Sequence, residues 1–381
     1  MTEKIAIGLM SGTSLDGVDA VLTKISGYGV DTNLEVLGFT SLDIDDTLRQ
    51  KILNVSHPES SRVDDITSLN MELGMIWSKA VTKLLDETQY EGAIDFIASH
   101  GQTIHHLPNA TAPHVRSTLQ IGDPSYLAYD HNTDVVFNFR MMDMVAGGDG
   151  APLVPYTEFV LYRDAKKTRL LQNIGGIGNV TVIPANAQLD DVSAFDTGPG
   201  NMMMNAAMAY FYQKPYDKDA AMAKQGHLIQ ELFDTLATNP YLNIAPPKST
   251  GREMFGEDVV KAICETYPNQ ANDVLYTLTY FTAYTIAQAY KDFVMPHHTI
   301  DEVILGGGGA YNPLLVSLID EMLDGIVVIT QESLGFSSDA KEAIAFVILG
   351  NETLNKQPSN VPTATGASKP VILGQIQPKP F

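Results

Sequence analysis

Hydroxyl, carboxylate and glycine residues recur in this chain in the combination that binds phosphate. Ser11, Gly12, Thr13, Ser14 and Asp16 fall in one turn, and Asp196, Thr197, Gly198 and Gly200 in another, each beside a β-like apolar run. Backbone N–H groups and hydroxyls in such turns cradle phosphate oxygens. Glycine lets the backbone bend sharply and approach a ligand closely. Neither turn has a lysine or arginine, so the charge of a bound nucleoside triphosphate needs a divalent cation. Asp16 is the first candidate to hold Mg²⁺, directly or through water, and capping its own turn is its competing role. Further glycine clusters stand at 147–153, 173–179 and 306–312. One cluster would be a turn; five point to a backbone-lined ligand cleft.

Other phosphate and nucleophile motifs are missing. The chain has no G-x-x-x-x-G-K-[ST], no G-x-G-x-x-G and no G-x-S-x-G, which leaves a P-loop, a Rossmann fingerprint and a hydrolase elbow unsupported. His100, His105 and His106 lack zinc-ligand spacing.

The elements that must carry these turns can be read from apolar patterning. Strands are expected at 4–10, 18–25 and 34–42 as an antiparallel meander, and a helix at 64–87 with Leu69, Leu73, Ile76 and Val81 near one face. Short apolar runs follow at 94–99, 118–121 and 135–139. From about residue 140 the pattern starts again. A strand pair, 169–174 and 179–184, surrounds a glycine turn, and 192–195 leads through DTGPGN into a Met/Ala-rich helix that includes Met202–Met204. A helix over 272–293 has Leu275, Leu278, Thr282, Thr285 and Ala289 on one face. The run 302–305 ends at four glycines and opens another helix, and 340–349 forms the last. Strand, glycine turn, strand thus occurs once in each half, suggesting two similar α/β domains with a cleft between them. The tail after Asn355 reads as irregular, with 371–373 able to pack as a short strand.

Length and charge bound the rest. The 381 residues suit about two domains. The formal charge of −21 repels a phosphate backbone and an anionic membrane, so nucleic acid and membrane are not expected partners. A single cysteine, Cys264, excludes a disulfide framework. With no membrane-length apolar run and no signal-like N-terminus, the expectation is a cytoplasmic protein.

The phosphate turns resemble those of the sugar-kinase, heat-shock chaperone and actin superfamily, and ILGGGGAYNPLL (304–315) resembles its adenosine loop. The match then narrows. GLMSGTSLDGVDAVL (8–22), IASHGQTIHH (97–106), LQIGDP (119–124), FR…D…AGGDGAPLVP (139–155), LQNIGGIGNVT (171–181), FDTGPGN (195–201), KSTGREMF (248–255) and TGASKPVILG (365–374) resemble the anhydro-N-acetylmuramic acid kinases along nearly the whole chain. The resemblance implies an α/β fold of two actin-like (ribonuclease H-like) domains, 1–137 and 138–381, with the last helix or tail free to cross back. It implies a homodimer that uses ATP and water to open the 1,6-anhydro bridge of the murein sugar, giving N-acetylmuramic acid 6-phosphate.

The same resemblance assigns roles. Asp196 is the general base, with bonding of turn amides as its alternative. ATP would lie against Gly12, Thr13, Ser14, Leu15, Asp16, Gly17, Val18 and Asp19, then Gly175, Gly178 and Asn179, and finally Gly307, Gly308, Gly309 and Asn312. Arg140 would hold the lactyl carboxylate of the sugar, against a salt bridge to Asp143 or another acid. His100 and Gln102 would meet sugar hydroxyls or the acetamido group, with a satisfied core histidine as the competing reading. Gly198 and Asn201 complete the substrate set, and Glu342 would help Asp16 hold Mg²⁺ unless it is a solvated helix residue. Asn138 and Asp149 depart from the usual family pattern of Asp and Gln, which touches the substrate rim. The competing functions are an ordinary hexose or amino-sugar kinase of the same fold and an actin- or chaperone-like ATPase.

Overall fold

Continuous apolar runs put both faces of a strand in a core, and this chain uses them to build two sheets. The computed structural model describes residues 2–12, 15, 17–334 and 340–381. In chain order the strands are β1 (Lys4–Ser11), β2 (Gly17–Ser26), β3 (Asn33–Asp43), β4 (Phe96–Leu107), β5 (Ser117–Ile121), β6 (Asp134–Phe137), β7 (Arg169–Ile174), β8 (Ile177–Ile183), β9 (Ser193–Pro199), β10 (Glu302–Gly306), β11 (Val327–Thr330) and β12 (Gln375–Gln377). The chain divides into two compact units, Met1–Leu161 with Asp339–Phe381, and Tyr162–Ser338.

In the first unit the sheet order is β12-β6-β4-β1-β2-β3, with β5 paired to β4. β1, β2 and β3 form the antiparallel meander, whereas β4 runs parallel to β1 and β6 parallel to β4. The helix Val63–Thr88 packs on β2 and β3 through Leu69, Leu73, Trp77, Val81 and Leu84, all buried. The helix Lys341–Leu354 packs on β1, β2 and β4, and every residue from Ala343 to Thr353 in it is buried. Each large apolar side chain buried there stabilises by about 1.5–3 kcal/mol. Gly8 makes this packing possible, because a side chain at that position would run into the Ala343 carbonyl.

The second unit repeats the arrangement with β11-β10-β7-β8-β9. β7, β8 and β9 are antiparallel, and β10 and β11 add in parallel to β7. A three-stranded meander whose first strand continues into two parallel strands is the ribonuclease H-like order, and it occurs in both units. Leu275, Leu278, Thr282, Thr285 and Ala289 of the helix Ala271–Phe293 are all buried, as the spacing required.

Two expectations need correction. Residues 138–161 belong to the first unit, not the second. Phe139 packs on Phe346 at 5.2 Å between ring centroids. The buried Asp143 carboxylate accepts hydrogen bonds from Asn360 Nδ2 and Thr365 Oγ1, each at 2.8 Å. The strand expected at 371–373 lies instead at Gln375–Gln377, antiparallel to β6. Leu373 is fully buried, and its carbonyl accepts the Thr353 hydroxyl at 2.6 Å.

Candidate active site

In the first unit, β1 delivers Ser11 and Gly12 to the turn before β2. The Ser11 hydroxyl donates to Gln102 Oε1 at 2.7 Å, and Gln102 Nε2 donates to the Gly12 carbonyl at 3.3 Å. Gln102, expected at the sugar, is 1% exposed and braces the glycine turn. Leu15 has φ 57 and is buried, with its N–H 3.4 Å from the Gly12 carbonyl. Gly17, Val18 and Asp19 begin β2. Thr13, Ser14 and Asp16 lie outside the described residues.

His100 lies in β4 and touches Phe346, with ring centroids 4.9 Å apart. Its Nε2 receives a hydrogen bond from Arg140 Nε at 3.0 Å. A guanidinium can only donate, so Nε2 accepts and Nδ1–H donates to the Gly101 carbonyl at 2.8 Å. The imidazole is therefore neutral. Burial, reinforced by the Arg140 charge, lowers its pKa from 6.5 to about 3. Arg140 also donates to the Gly150 carbonyl at 2.8 Å, so its fork is held from two sides. Asp143, the partner in the competing salt-bridge reading of Arg140, accepts from the Gly150 N–H at 2.8 Å instead. At the rim, Asn138 takes the left-handed conformation (φ 56) that Asn tolerates, and Asp149 pairs with Arg116 at 2.8 Å.

The neutral histidine has a pH signature. Its folded pKa lies below the ordinary value, so the unfolded chain binds the extra proton and stability falls as pH drops from about 6.5 toward 3. At pH 5 this costs about 2 kcal/mol relative to neutral pH. His100→Asn is expected to lose that part of the acid sensitivity in urea unfolding at pH 7.5 and 5.

Glu342 opens the helix Lys341–Leu354. Although its side chain keeps contact with solvent, partial loss of hydration raises its carboxyl, Lys341 and Arg140 oppose the rise, and Asp19 adds to it. Asp19, Arg140 and Glu342 thus share one electrostatic neighbourhood.

In the second unit, β9 carries Asp196 directly opposite Asn179 of β8, with Gly198 opposite Gly178. Gly198 has φ 142, a conformation that side chains rarely adopt, and a Cβ there would stand 2.9 Å from Thr285 Oγ1. Beneath the turn, Tyr290 donates to Gln172 Oε1 at 2.7 Å, and Gln172 Nε2 donates to Thr197 Oγ1 at 3.2 Å. Asp196 Oδ2 accepts the Thr250 N–H at 2.9 Å, and its carbonyl accepts the Tyr241 hydroxyl at 2.8 Å. Burial raises the Asp196 carboxyl, while the Thr250 N–H and the Lys248 charge lower it.

The other glycine turns of this unit converge. The N–H groups of Gly200 and Asn201 donate to the carbonyls of Gly176 and Gly175 at 2.9 and 2.7 Å. Asn201, expected to offer its amide to a ligand, donates Nδ2 to the Ile174 carbonyl at 3.1 Å. A Cβ at Gly308 or Gly309 would lie 3.3 or 3.2 Å from the Asn201 amide group, and one at Gly307 would lie 3.0 Å from the Ile174 carbonyl. Asn312 caps the helix Pro313–Met322 through Leu314 N–H and Leu315 N–H at 3.1 and 3.0 Å. Gly307, Gly308 and Gly309 therefore lie beside the end of the β7–β8 hairpin, which itself carries Gly175, Gly178 and Asn179. Among the described residues, no group of three or more His, Cys, Asp or Glu is arranged to hold a metal ion.

The family model described as anhydro-N-acetylmuramic acid kinase matches residues 4–379. The chain belongs to this family. A relative from Clostridioides difficile (strain 630), named anhydro-N-acetylmuramic acid kinase, is 50% identical over 378 residues, covering 99% of each chain. Another of that name, from Bacillus cereus (strain Q1), is 49% identical over 373 residues, covering 97% of this chain and 98% of its own. Among solved structures, (R)-2-hydroxyglutaryl-CoA dehydratase component A of Acidaminococcus fermentans is similar with a TM-score of 0.44 at 9% identity, over 91% of this chain and 96% of that one. Among the described residues of this member of the kinase family, no helix is long and apolar enough to cross a membrane.

Sequence reasoning left Tyr241, Lys248 and Thr250 without roles, although all three surround Asp196. KSTGREMF was visible as a motif of the anhydro-N-acetylmuramic acid kinases. The only further signal was a lysine set among apolar residues and prolines in an acidic chain.

Proposed function

We propose that this enzyme uses ATP and water to convert 1,6-anhydro-N-acetylmuramic acid into N-acetylmuramic acid 6-phosphate, in peptidoglycan recycling. One observation carries the assignment of roles: the half-buried Asp196 is fixed through Oδ2 on the Thr250 N–H and has its carboxyl raised by burial. An anchored carboxylate of raised pKa suits general-base work. Oδ1 is the atom we assign to take the proton.

The sugar has no free 6-hydroxyl, because that oxygen bridges to the anomeric carbon. Asp196 Oδ1 takes a proton from water as the water oxygen bonds the anomeric carbon. The bond from that carbon to the bridging oxygen breaks, and the freed oxygen takes the terminal phosphoryl group, releasing ADP. Arg140, oriented by His100 and the Gly150 carbonyl, supports the reading that a fork of donors holds the lactyl carboxylate.

Asp16, which lies outside the described residues, and Glu342 are the carboxylates we assign to a divalent cation, since carboxylate oxygens are the ligands that Mg²⁺ takes beside phosphate, and Asp19 lies close enough to Glu342 to raise its carboxyl. When bound, Mg²⁺ neutralises phosphate charge that the glycine turns, without basic residues, cannot.

Product analysis in heavy-oxygen water tests the coupled reaction. Sampled quickly, the label should enter the anomeric hydroxyl and not the phosphate, with one ADP per sugar opened. Phosphorylation of reducing amino sugars as fast as the anhydro sugar would replace this reading with an ordinary sugar kinase.

A further inference from the structure

Lys248 is an unusual residue to find where it is. It is 8% exposed, and burying an ammonium group costs several kcal/mol unless it is well paired. Its Nζ donates to the carbonyls of Tyr241 and Leu242 at 3.4 and 3.3 Å. The same nitrogen lies between two ring faces, 4.7 Å from the Tyr241 centroid and 4.6 Å from that of Phe293. Both kinds of partner favour a cation. The backbone beside it is tied to the strand of the candidate base, since the Asp196 N–H donates to the Lys248 carbonyl at 3.1 Å.

A purely structural staple could be apolar here. Packing between two aromatic rings needs no charge, and replacing buried ionic groups by apolar ones is often neutral or stabilising. What charge adds is an effect on the neighbouring carboxylates. Burial lowers the Lys248 pKa, while Asp292 and Asp196 raise it. Lys248 in turn lowers the Asp196 carboxyl against its burial. The charged and titratable groups facing the pair are Asp292 from the helix Ala271–Phe293 and Tyr241 from the segment before Lys248. The Tyr241 hydroxyl is raised by its own burial and by Asp196, so it stays a neutral donor.

We infer that Lys248 is a positioning residue for Asp196. Its ammonium group clamps the 241–250 segment, whose Tyr241 hydroxyl and Thr250 N–H hold Asp196, and keeps that carboxylate ionised in a half-buried place. The inference rests on Asp196 acting as the base. Without the cation, burial acts on Asp196 unopposed by it, and a larger fraction of the enzyme holds a protonated, inactive carboxyl at a given acidic pH.

The test measures kcat/KM for the anhydro sugar against pH in the full chain, because the acid limb reports the free enzyme's base. Lys248→Met should move the acid limb to higher pH and lower kcat by roughly 10-fold, as for a base present but loosely held. Lys248→Gln keeps a donor for the two carbonyls and should move the limb in the same direction; it gives the same reading if the Met variant does not fold. Lys248→Arg keeps the charge and should return the limb toward its wild-type position. An acid limb that stays at the wild-type position in the folded Met or Gln variant overturns the inference. In that case an inactive Asp196→Asn variant leaves the base assignment standing. Activity of Asp196→Asn above about a tenth of wild type overturns both.

Discussion

Asp196→Asn is expected to lower kcat by about 10²–10⁴-fold while leaving ATP affinity unchanged. Asparagine keeps an oxygen to accept the Thr250 N–H that Asp196 Oδ2 accepts at 2.9 Å, and it leaves the carbonyl that receives the Tyr241 hydroxyl in place. Gly178, Asn179 and Gly198 should therefore keep their register across β8 and β9. The capacity to take a proton is lost, together with the negative charge that faces Lys248. Calorimetric titration with ATP and the rate of ADP release with sugar give the two readouts. A variant retaining more than about a tenth of the wild-type rate would sink the assignment.

Arg140→Lys should raise KM for the sugar, lowering kcat/KM by about 10–100-fold with KM for ATP unchanged. A hydrogen bond to a charged group contributes about 1.5–3 kcal/mol, and lysine keeps the charge but not the planar fork that matches a carboxylate. Two constraints make Arg140 sensitive to this exchange. Its Nε is taken by a neutral His100 and its Nη1 by the Gly150 carbonyl, so the direction of the guanidinium is set by the protein before any ligand arrives. A flexible ammonium group has no equivalent pair of anchors. Initial rates with each substrate varied in turn decide it, and an unchanged sugar KM would remove Arg140 from the substrate set.

Most strands of the two sheets were legible because they are rich in apolar residues: 4–10 and 169–174 announce β1 and β7, and the Leu275, Leu278, Thr282, Thr285 and Ala289 spacing announces the long helix, whereas the short β11 at Val327–Thr330 went unread. The glycine turns were legible for a related reason, since glycine after a strand marks a sharp bend of the backbone. The unit boundary was not. Nothing local to residues 138–161 says that Phe139 will meet Phe346 or that Asp143 will bond Asn360 and Thr365. Those partners lie some two hundred positions away in the chain, and pairing at that distance leaves no periodic trace. Lys248 was hidden by chemistry of another kind: its partners are carbonyls and ring faces, which no pattern of opposite charges marks.

The helix Lys341–Leu354, laid against β1, β2 and β4 of the first sheet, sets an order on the making of the protein. β1 leaves the ribosome some three hundred residues before the helix that covers it. The second unit is drawn from one uninterrupted stretch, Tyr162–Ser338, so its sheet and helices can associate as soon as they emerge. The first unit must wait. Until Ala343 and Val347 arrive against Gly8, the nascent chain holds an apolar sheet face open to water, the kind of surface that chaperones recognise and that aggregates when left bare. Loss of residues 341–381 therefore falls hardest on the first unit, nearly all of whose other residues precede the second unit in the chain.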